Sequence, residues 1–135
     1  MANILVVDDD HSVASPLIMY FEFRGHKVRY ADNGESGLRA VAKSFPDVIV
    51  LDVEMPQLTG PEMAYRLLVE DSGREKIPII LLSGVADLST VAKKVGTPYL
   101  LAKPYSLDDL EAVFEKVLRE RIPPRPAGIL GEAVQ

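Results

Sequence analysis

The 135-residue chain contains no cysteine, and it has no apolar run as long as a membrane span. The first absence excludes disulfide bonds, catalysis by a thiol and metal binding through thiolates, and it leaves the redox compartment undetermined. The second argues against insertion into a membrane. No basic segment precedes the apolar residues that begin at Ile4. We therefore expect no cleaved signal peptide and a cytoplasmic location.

Clusters of basic residues are missing as well. The chain has 15 lysine and arginine residues against 20 acidic ones, which gives a formal net charge of −5. A surface that binds nucleic acid needs concentrated positive charge to neutralise phosphates, so we expect no direct contact with nucleic acid. The remaining composition, 47% hydrophobic and 26% charged, is typical of one globular domain.

Five short apolar or alternating segments recur along the chain and predict β-strands. They cover residues 4–7, 27–30, 48–51, 79–82 and 99–102. The first, third and fourth are continuously apolar, which is typical of strands buried on both faces of a parallel sheet. The second alternates polar and apolar residues, which predicts an edge strand.

Apolar residues at helical spacing fill the intervals between these strands. Helices are predicted over residues 12–24, 38–45, 60–69 and 87–94, and from Ser106 onward. Pro16 is expected in the first turn of its helix, where a missing N–H is tolerated. The last helix has the strongest apolar stripe, formed by Leu107, Leu110, Val113, Phe114, Val117 and Leu118. Five alternations of strand and helix predict a parallel α/β sheet with right-handed crossovers.

The alternation stops after Arg121, and a proline-rich stretch follows. We therefore expect one folded domain over residues 1–121 and a flexible, proline-rich tail over residues 122–135.

Polar residues follow the predicted strands at their C-terminal ends. The acidic ones are Asp8, Asp9, Asp10, Asp52 and Glu54, and they are joined by Ser83 and Lys103. Each residue taken alone has an ordinary explanation as a turn, cap or surface residue. Because ligands of an open parallel sheet bind beyond the carboxyl ends of its strands, the joint placement favours a binding site.

The chemistry of this set points toward phosphoryl transfer. Carboxylates that converge without cysteine or histidine favour Mg²⁺. An aspartate can attack phosphorus to form an aspartyl phosphate, while a hydroxyl and an ammonium group hold the phosphoryl oxygens. His11 has the position of a candidate ligand but is expected to be a solvated loop residue, and His26 is expected to be structural.

These segments resemble the receiver domain of bacterial two-component response regulators over about residues 3–120. The resemblance rests on ILVVDDD at residues 4–10, VIVLDVEMP at 48–56 with TGPE at 59–62, IPIILLS at 77–83 and KPY at 103–105. It implies an α/β, (βα)5 flavodoxin-like, doubly wound fold. The implied sheet is parallel and five-stranded, with the order 2-1-3-4-5.

The resemblance also implies a role for each matching residue. Asp52 resembles the phospho-accepting aspartate. Asp9, Asp52 and the backbone carbonyl of Glu54 resemble Mg²⁺ ligands, with Asp8 acting largely through water. Ser83 resembles the hydroxyl residue that turns toward the phosphoryl group. Lys103 resembles the lysine that pairs with the phosphorylated aspartate, and its bond to Pro104 is expected to be cis.

The chain departs from the family pattern at the switch position. Leu100 stands where the family usually has an aromatic residue. Tyr99 is one residue earlier, so strand alternation should send its ring to the opposite face. Tyr105 is a candidate replacement. We therefore assign Ser83, Tyr99, Leu100 and Tyr105 to the predicted switch and interaction surface.

Three further departures lie near the site. Ser83 and Lys103 are about two residues closer in sequence than in the family, a deletion that we place in the helix at residues 87–94. Thr59 replaces a common aspartate, and we expect no functional change from this replacement because both residues cap helices. Glu54 adds an acid beside the site. We predict that Glu54 and Val85 flank the path of water to the phosphoryl group and set its lifetime.

The leading hypothesis is a stand-alone receiver, similar to chemotaxis regulators, that takes a phosphoryl group onto Asp52 with Mg²⁺ and then switches a protein-interaction surface. Its donor would be a sensor histidine kinase or a histidine phosphotransfer protein, and it would catalyse only its own phosphorylation and dephosphorylation. We expect an unidentified downstream protein target, no nucleic acid or membrane partner, and a monomer or weak dimer.

Two alternatives stay open. One is a receiver-like binding module that acts without phosphorylation, which the missing switch aromatic favours. The other is a Mg²⁺-dependent aspartyl phosphatase with Glu54 as its second acid, for which 135 residues leave little room to build a substrate pocket.

Overall fold

The computed structural model describes residues 1–52, 76–84, 93 and 95–125. The predicted helix at residues 60–69, nearly all of the predicted helix at 87–94 and the end of the tail lie outside the described residues. Glu54, Thr59 and Val85 lie outside them too.

The described elements alternate between strands and helices. The strands are β1 (Asn3–Val7), β2 (Lys27–Ala31), β3 (Val48–Asp52), β4 (Ile79–Ser83) and β5 (Tyr99–Ala102). The helices are α1 (His11–Phe23), α2 (Gly34–Lys43) and α3 (Leu107–Glu120). Each strand lies within one residue of its predicted position at either end. For β1, β3 and β4 the reason is that strands buried on both faces of a parallel sheet are continuously apolar.

All five strands pair in parallel, in the order β2-β1-β3-β4-β5. This order confirms the predicted flavodoxin-like fold and places β2 at an edge. The register brings the strand ends together, since Val7 pairs with Leu51 and Ser83 pairs with Ala102. The residues that end or follow β1, β3, β4 and β5 therefore meet at one edge of the sheet.

The sheet is covered on both faces. One face packs against α2 through Leu38 and Val41. The other face packs against α1 and α3 through residues that include Phe21 and Phe114, and we call this set the α1–α3 core cluster. No helix in the described part of the chain is both long enough and apolar enough to cross a membrane.

Three helix predictions are corrected by the structure. Leu107 is 63% exposed, because it is the first residue of α3 and precedes the turn in which Leu110 reaches the core. Phe45 is 43% exposed, since α2 ends at Lys43. Pro16 lies inside α1, beyond its first turn, where a proline leaves one helical carbonyl without its usual donor.

The first residues of the predicted tail contact the loop that precedes β5. The Arg125 N–H donates to the Gly96 carbonyl oxygen at 3.0 Å, and Pro124 is buried. The Ile122 N–H donates to the Tyr99 hydroxyl at 3.1 Å. Gly96 has a φ of +76°, and a Cβ at this position would collide with the Arg125 backbone. The chain therefore returns to the sheet after α3.

Candidate functional site

Three aspartates form a cluster at the carboxyl edge of the sheet. Asp8 directly follows β1, Asp9 is next to it, and Asp52 ends the neighbouring strand β3. One carboxylate oxygen from each lies within 4.8 Å of the others. Asp8 and Asp52 are 2% and 6% exposed, whereas Asp9 is exposed. The cluster thus has a buried floor and one solvent-facing member.

The main chain of Asp8 is tied to β2. Its N–H donates to the Ala31 carbonyl oxygen at 3.1 Å, and its carbonyl oxygen accepts a hydrogen bond from the Tyr30 hydroxyl at 2.6 Å. Its side-chain Oδ1 accepts from the Asp10 N–H at 3.0 Å. These contacts hold the main chain and Oδ1 of Asp8 in place, and none of them involves its second carboxylate oxygen.

That second oxygen, Asp8 Oδ2, is buried, and among the described residues it receives no hydrogen bond. Leaving a buried carboxylate oxygen without a donor is unfavourable, so the position fits a cation. The donor set contains carboxylate oxygens only, which is what Mg²⁺ prefers. Asp8, Asp9 and Asp52 are therefore the described residues that could hold a divalent metal ion.

Lys103 follows β5 and brings a positive charge to the cluster. Its Nζ lies 3.5 Å from Asp8 Oδ2 and 3.9 Å from Asp52 Oδ1. The peptide bond between Lys103 and Pro104 is cis, as predicted. One lysine against three carboxylates leaves a net negative charge at the site, which favours the binding of a divalent cation over the binding of an anion.

Asp10 has a different role from the one that its place in the acidic run predicted. It is the N-cap of α1, and its Oδ1 accepts from the Ser12 N–H at 3.0 Å and the Ser12 hydroxyl at 2.6 Å. The hydrogen bond from the Ser12 side chain is the main reason that the pKa of Asp10 is lowered. The start of α1 thus removes this carboxylate from the cluster.

The two histidines have structural contacts in the fold. His11 begins α1 and meets the Tyr30 ring edge-on, with ring centroids 5.1 Å apart. Within the described residues, it does not join the group of metal-binding candidates. His26 Nδ1 accepts a hydrogen bond from the Ala2 N–H at 2.9 Å. The contact of His26 agrees with the structural role expected for it. His11, expected as a solvated loop residue, is exposed but belongs to α1.

The predicted switch residues lie in different environments. The side chains of Tyr99 and Leu100 are on opposite faces of β5, as alternation requires, with Tyr99 fully buried and Leu100 39% exposed. The Tyr99 hydroxyl donates to Glu120 Oε1 at 3.1 Å. Tyr105 is half-buried against the α1–α3 core cluster, and burial, together with the charge of Asp8, raises its pKa.

Two predicted site residues lie wholly or partly outside the described residues. Ser83 ends β4 at the expected edge, but its side chain lies outside the described residues. Glu54, predicted to offer its backbone carbonyl to the metal, also lies outside them. Their roles stay predictions.

Tyr30 was missed by the reasoning from sequence. It lies in β2, opposite Val6 of β1, and its hydroxyl reaches the Asp8 carbonyl oxygen beyond the end of β1. Burial is the main reason that its pKa is raised, followed by the charge of Asp8. No motif marks this residue. The only available signal was an aromatic residue near the end of an edge strand whose neighbour ends in acids.

Comparisons with known proteins agree on one family. The chain matches the response regulator receiver domain over residues 4–115. It is 35% identical over 128 residues to response regulator MprA of Mycolicibacterium vanbaalenii, a match that covers 93% of this chain and 54% of that protein. The chain therefore spans about half the length of the curated relatives it matches.

Solved structures with the same fold include two of nearly the same length. A putative response regulator from Chloroflexus aurantiacus has a TM-score of 0.81 and 28% identity, covering 88% of this chain and 98% of that one. The chemotaxis protein CheY4 of Vibrio cholerae has a TM-score of 0.78 and 29% identity, covering 87% of this chain and 98% of that one.

Proposed function

The chain belongs to the response regulator receiver domain family, and from this premise we propose that Asp52 accepts a phosphoryl group from a phosphohistidine. One observation carries the proposal: the buried Asp52 carboxylate lies beside two further aspartates and the Lys103 ammonium. This arrangement has a nucleophile, a metal-binding pair and a counter-charge within a few ångströms of one another.

The proposed step is an in-line displacement. One Asp52 carboxylate oxygen forms a bond to phosphorus while the bond from phosphorus to the donor's imidazole nitrogen breaks, and that nitrogen keeps the electron pair. The product is an acyl phosphate. Catalysis is mostly positioning and charge neutralisation, since the transferred group spreads its charge over three oxygens.

Each residue of the cluster has a part in this step. Asp8 and Asp9 would hold Mg²⁺ with Asp52, and the ion would neutralise charge on the phosphoryl oxygens when bound. The Lys103 Nζ, 3.9 Å from Asp52 Oδ1, would pair with the modified aspartate. Ser83 would donate its hydroxyl, and the Glu54 carbonyl would complete the metal shell.

The finer proposals follow from the family. The donor is a sensor histidine kinase or a histidine phosphotransfer protein, and the output is a changed protein-interaction surface that includes Leu100 and Tyr105. The protein catalyses only its own phosphorylation and dephosphorylation. It acts in the cytoplasm as a monomer or weak dimer, without direct contact to nucleic acid or membrane.

Phosphorylation by a small donor tests the proposal. Wild type should gain the mass of one phosphoryl group when it is incubated with acetyl phosphate and Mg²⁺, and Asp52→Asn should not. Asp32→Asn is the matched control, because Asp32 is an exposed aspartate that follows β2 at the same edge of the sheet. It should be modified like wild type. Absence of modification in wild type would contradict the proposal.

The exposed Leu100 at the switch position is the observation that favours the second candidate, a binding module that needs no phosphorylation. If wild type stays unmodified by acetyl phosphate, the result supports this second candidate.

The decay rate of the phosphorylated form tests the proposed water path, since Glu54→Asn and Val85→Ala should change that rate. If neither changes the rate, these residues do not set the lifetime.

A further inference from the structure

The Tyr30 hydroxyl reaches from β2 to the peptide that joins two of the three clustered aspartates. Its 2.6 Å hydrogen bond ends on the Asp8 carbonyl oxygen, which belongs to the Asp8–Asp9 peptide unit. Because a peptide unit is planar, fixing the direction of its carbonyl also fixes the direction of the following N–H and Cα. The contact therefore influences where Asp9 begins.

Asp9 is the member of the cluster that most needs such a restraint. Asp8 and Asp52 are held in the buried floor of the site, whereas Asp9 is exposed. Its carboxylate lies within 4.8 Å of two like charges. Repulsion at this distance favours rotation of Asp9 toward solvent when no cation is bound.

Tyr30 is itself held on two sides. Its ring packs against the α1–α3 core cluster, and the His11 ring meets it edge-on at 5.1 Å. The backbone of Tyr30 lies within the β1–β2 ladder, opposite Val6. A hydroxyl fixed in this way can restrain the Asp8–Asp9 peptide without moving itself.

We propose that Tyr30 is a positioning residue for the divalent cation, which it serves by orienting the Asp8–Asp9 peptide so that both carboxylates face Asp52. The inference rests on the proposed function, because it assumes that the three aspartates bind Mg²⁺. Tyr30 does not touch the cation. Its contribution is to lower the conformational freedom that Asp9 must lose when the cation binds.

Calorimetric titration of Mg²⁺ into the unphosphorylated protein tests this role. Tyr30→Phe keeps the ring and removes the hydroxyl, so it should weaken Mg²⁺ affinity about two- to tenfold, the effect of losing one typical hydrogen bond. Tyr20→Phe is the matched control. Tyr20 packs against the same core cluster from α1, so its variant should bind Mg²⁺ like wild type.

The outcomes separate the two claims. Equal affinity of Tyr30→Phe and wild type overturns the positioning role and leaves the proposed function standing. Equal weakening by Tyr20→Phe also overturns it, because the effect would then belong to any tyrosine of this core. A wild type that binds no Mg²⁺ overturns both the proposed function and the inference.

If Tyr30→Phe does not fold, a second measurement on the wild-type sequence tests the proposal. In wild type labelled with 3-fluorotyrosine, the ¹⁹F resonance of Tyr30 should shift on addition of Mg²⁺ while that of Tyr20 stays in place. The five tyrosines can be assigned from single phenylalanine variants of the others. A Tyr30 resonance that does not respond to Mg²⁺ contradicts the proposal.

Discussion

The charge of Asp8 should destabilise the metal-free protein, so that Asp8→Asn folds more stably than wild type. Asparagine keeps the Oδ1 acceptor for the Asp10 N–H and leaves both backbone hydrogen bonds of residue 8 in place. It replaces Oδ2, the buried oxygen that receives no hydrogen bond among the described residues, by an amide donor. Oδ2 is also the oxygen that lies 3.5 Å from the Lys103 Nζ.

The magnitude follows from the distances at the site. At an effective dielectric constant of about 20, two unit charges 4.8 Å apart interact by about 3.5 kcal/mol, and two charges 3.5 Å apart by about 4.7 kcal/mol. Asp8 has two like charges within the first distance and Lys103 at the second. The two repulsions exceed the attraction by about 2 kcal/mol, which is the stabilisation that we expect from Asp8→Asn.

Urea unfolding followed by circular dichroism measures this effect. With a denaturant slope near 2 kcal/mol per molar, the urea midpoint of Asp8→Asn in EDTA should rise by about 1 M. Millimolar Mg²⁺ should reduce the difference in urea midpoint between Asp8→Asn and wild type, because the cation binds and stabilises folded wild type more strongly than the variant. The exposed Asp32→Asn should stay within about 0.5 kcal/mol of wild type. A lower midpoint for Asp8→Asn in EDTA would refute the reasoning, since attraction to Lys103 would then dominate.

Three further predictions concern stability away from the cluster. Burial, with smaller effects from nearby positive charges, lowers the pKa of His26 below 6.5. As the pH falls, the imidazole is therefore protonated in the unfolded chain before it is protonated in the folded one. The contribution of His26 to the free energy of unfolding is fully present above about pH 6.5 and is lost as the pH drops below it. His26→Gln should flatten the profile of urea midpoint against pH in that range. Gly96→Ala should lower the free energy of unfolding by about 1–3 kcal/mol through backbone strain, and by more through collision with the Arg125 backbone. Gly25 has a φ of +87° and open space around it, so Gly25→Ala should be destabilised by backbone strain alone. Equal urea midpoints of Gly96→Ala and Gly25→Ala would contradict the contact with Arg125. Ser106→Ala removes the capping box of α3 and should cost about 1 kcal/mol in urea unfolding; an unchanged midpoint would show that the cap is dispensable.

Much of the fold was predictable because burial on both faces demands continuous apolar strands. The strands at β1, β3 and β4 needed no tertiary information for that reason. The apolar stripe of α3 was identified equally well, yet Leu107 at its start is exposed. Periodicity shows which side of a helix is apolar, but it does not show where along the helix the sheet begins.

The candidate site shows the same division. Asp8, Asp9, Asp52 and Lys103 were expected at one edge because parallel connectivity brings strand ends together. Asp10 has the same side chain and belongs to the same acidic run, but it became the cap of α1. The choice between cap and cluster depends on where the helix starts, which the run of three aspartates does not reveal.

The sequence by itself determined the order of the elements, the edge of the sheet that carries the site and the kind of chemistry that its residues allow. These follow from residue type and from spacing along the chain. Only the tertiary structure decided that Asp8 Oδ2 lies buried beside Lys103 and that Tyr30 reaches the Asp8 carbonyl. Such contacts depend on strand register and on side-chain directions set by packing, so they join residues that no local pattern connects.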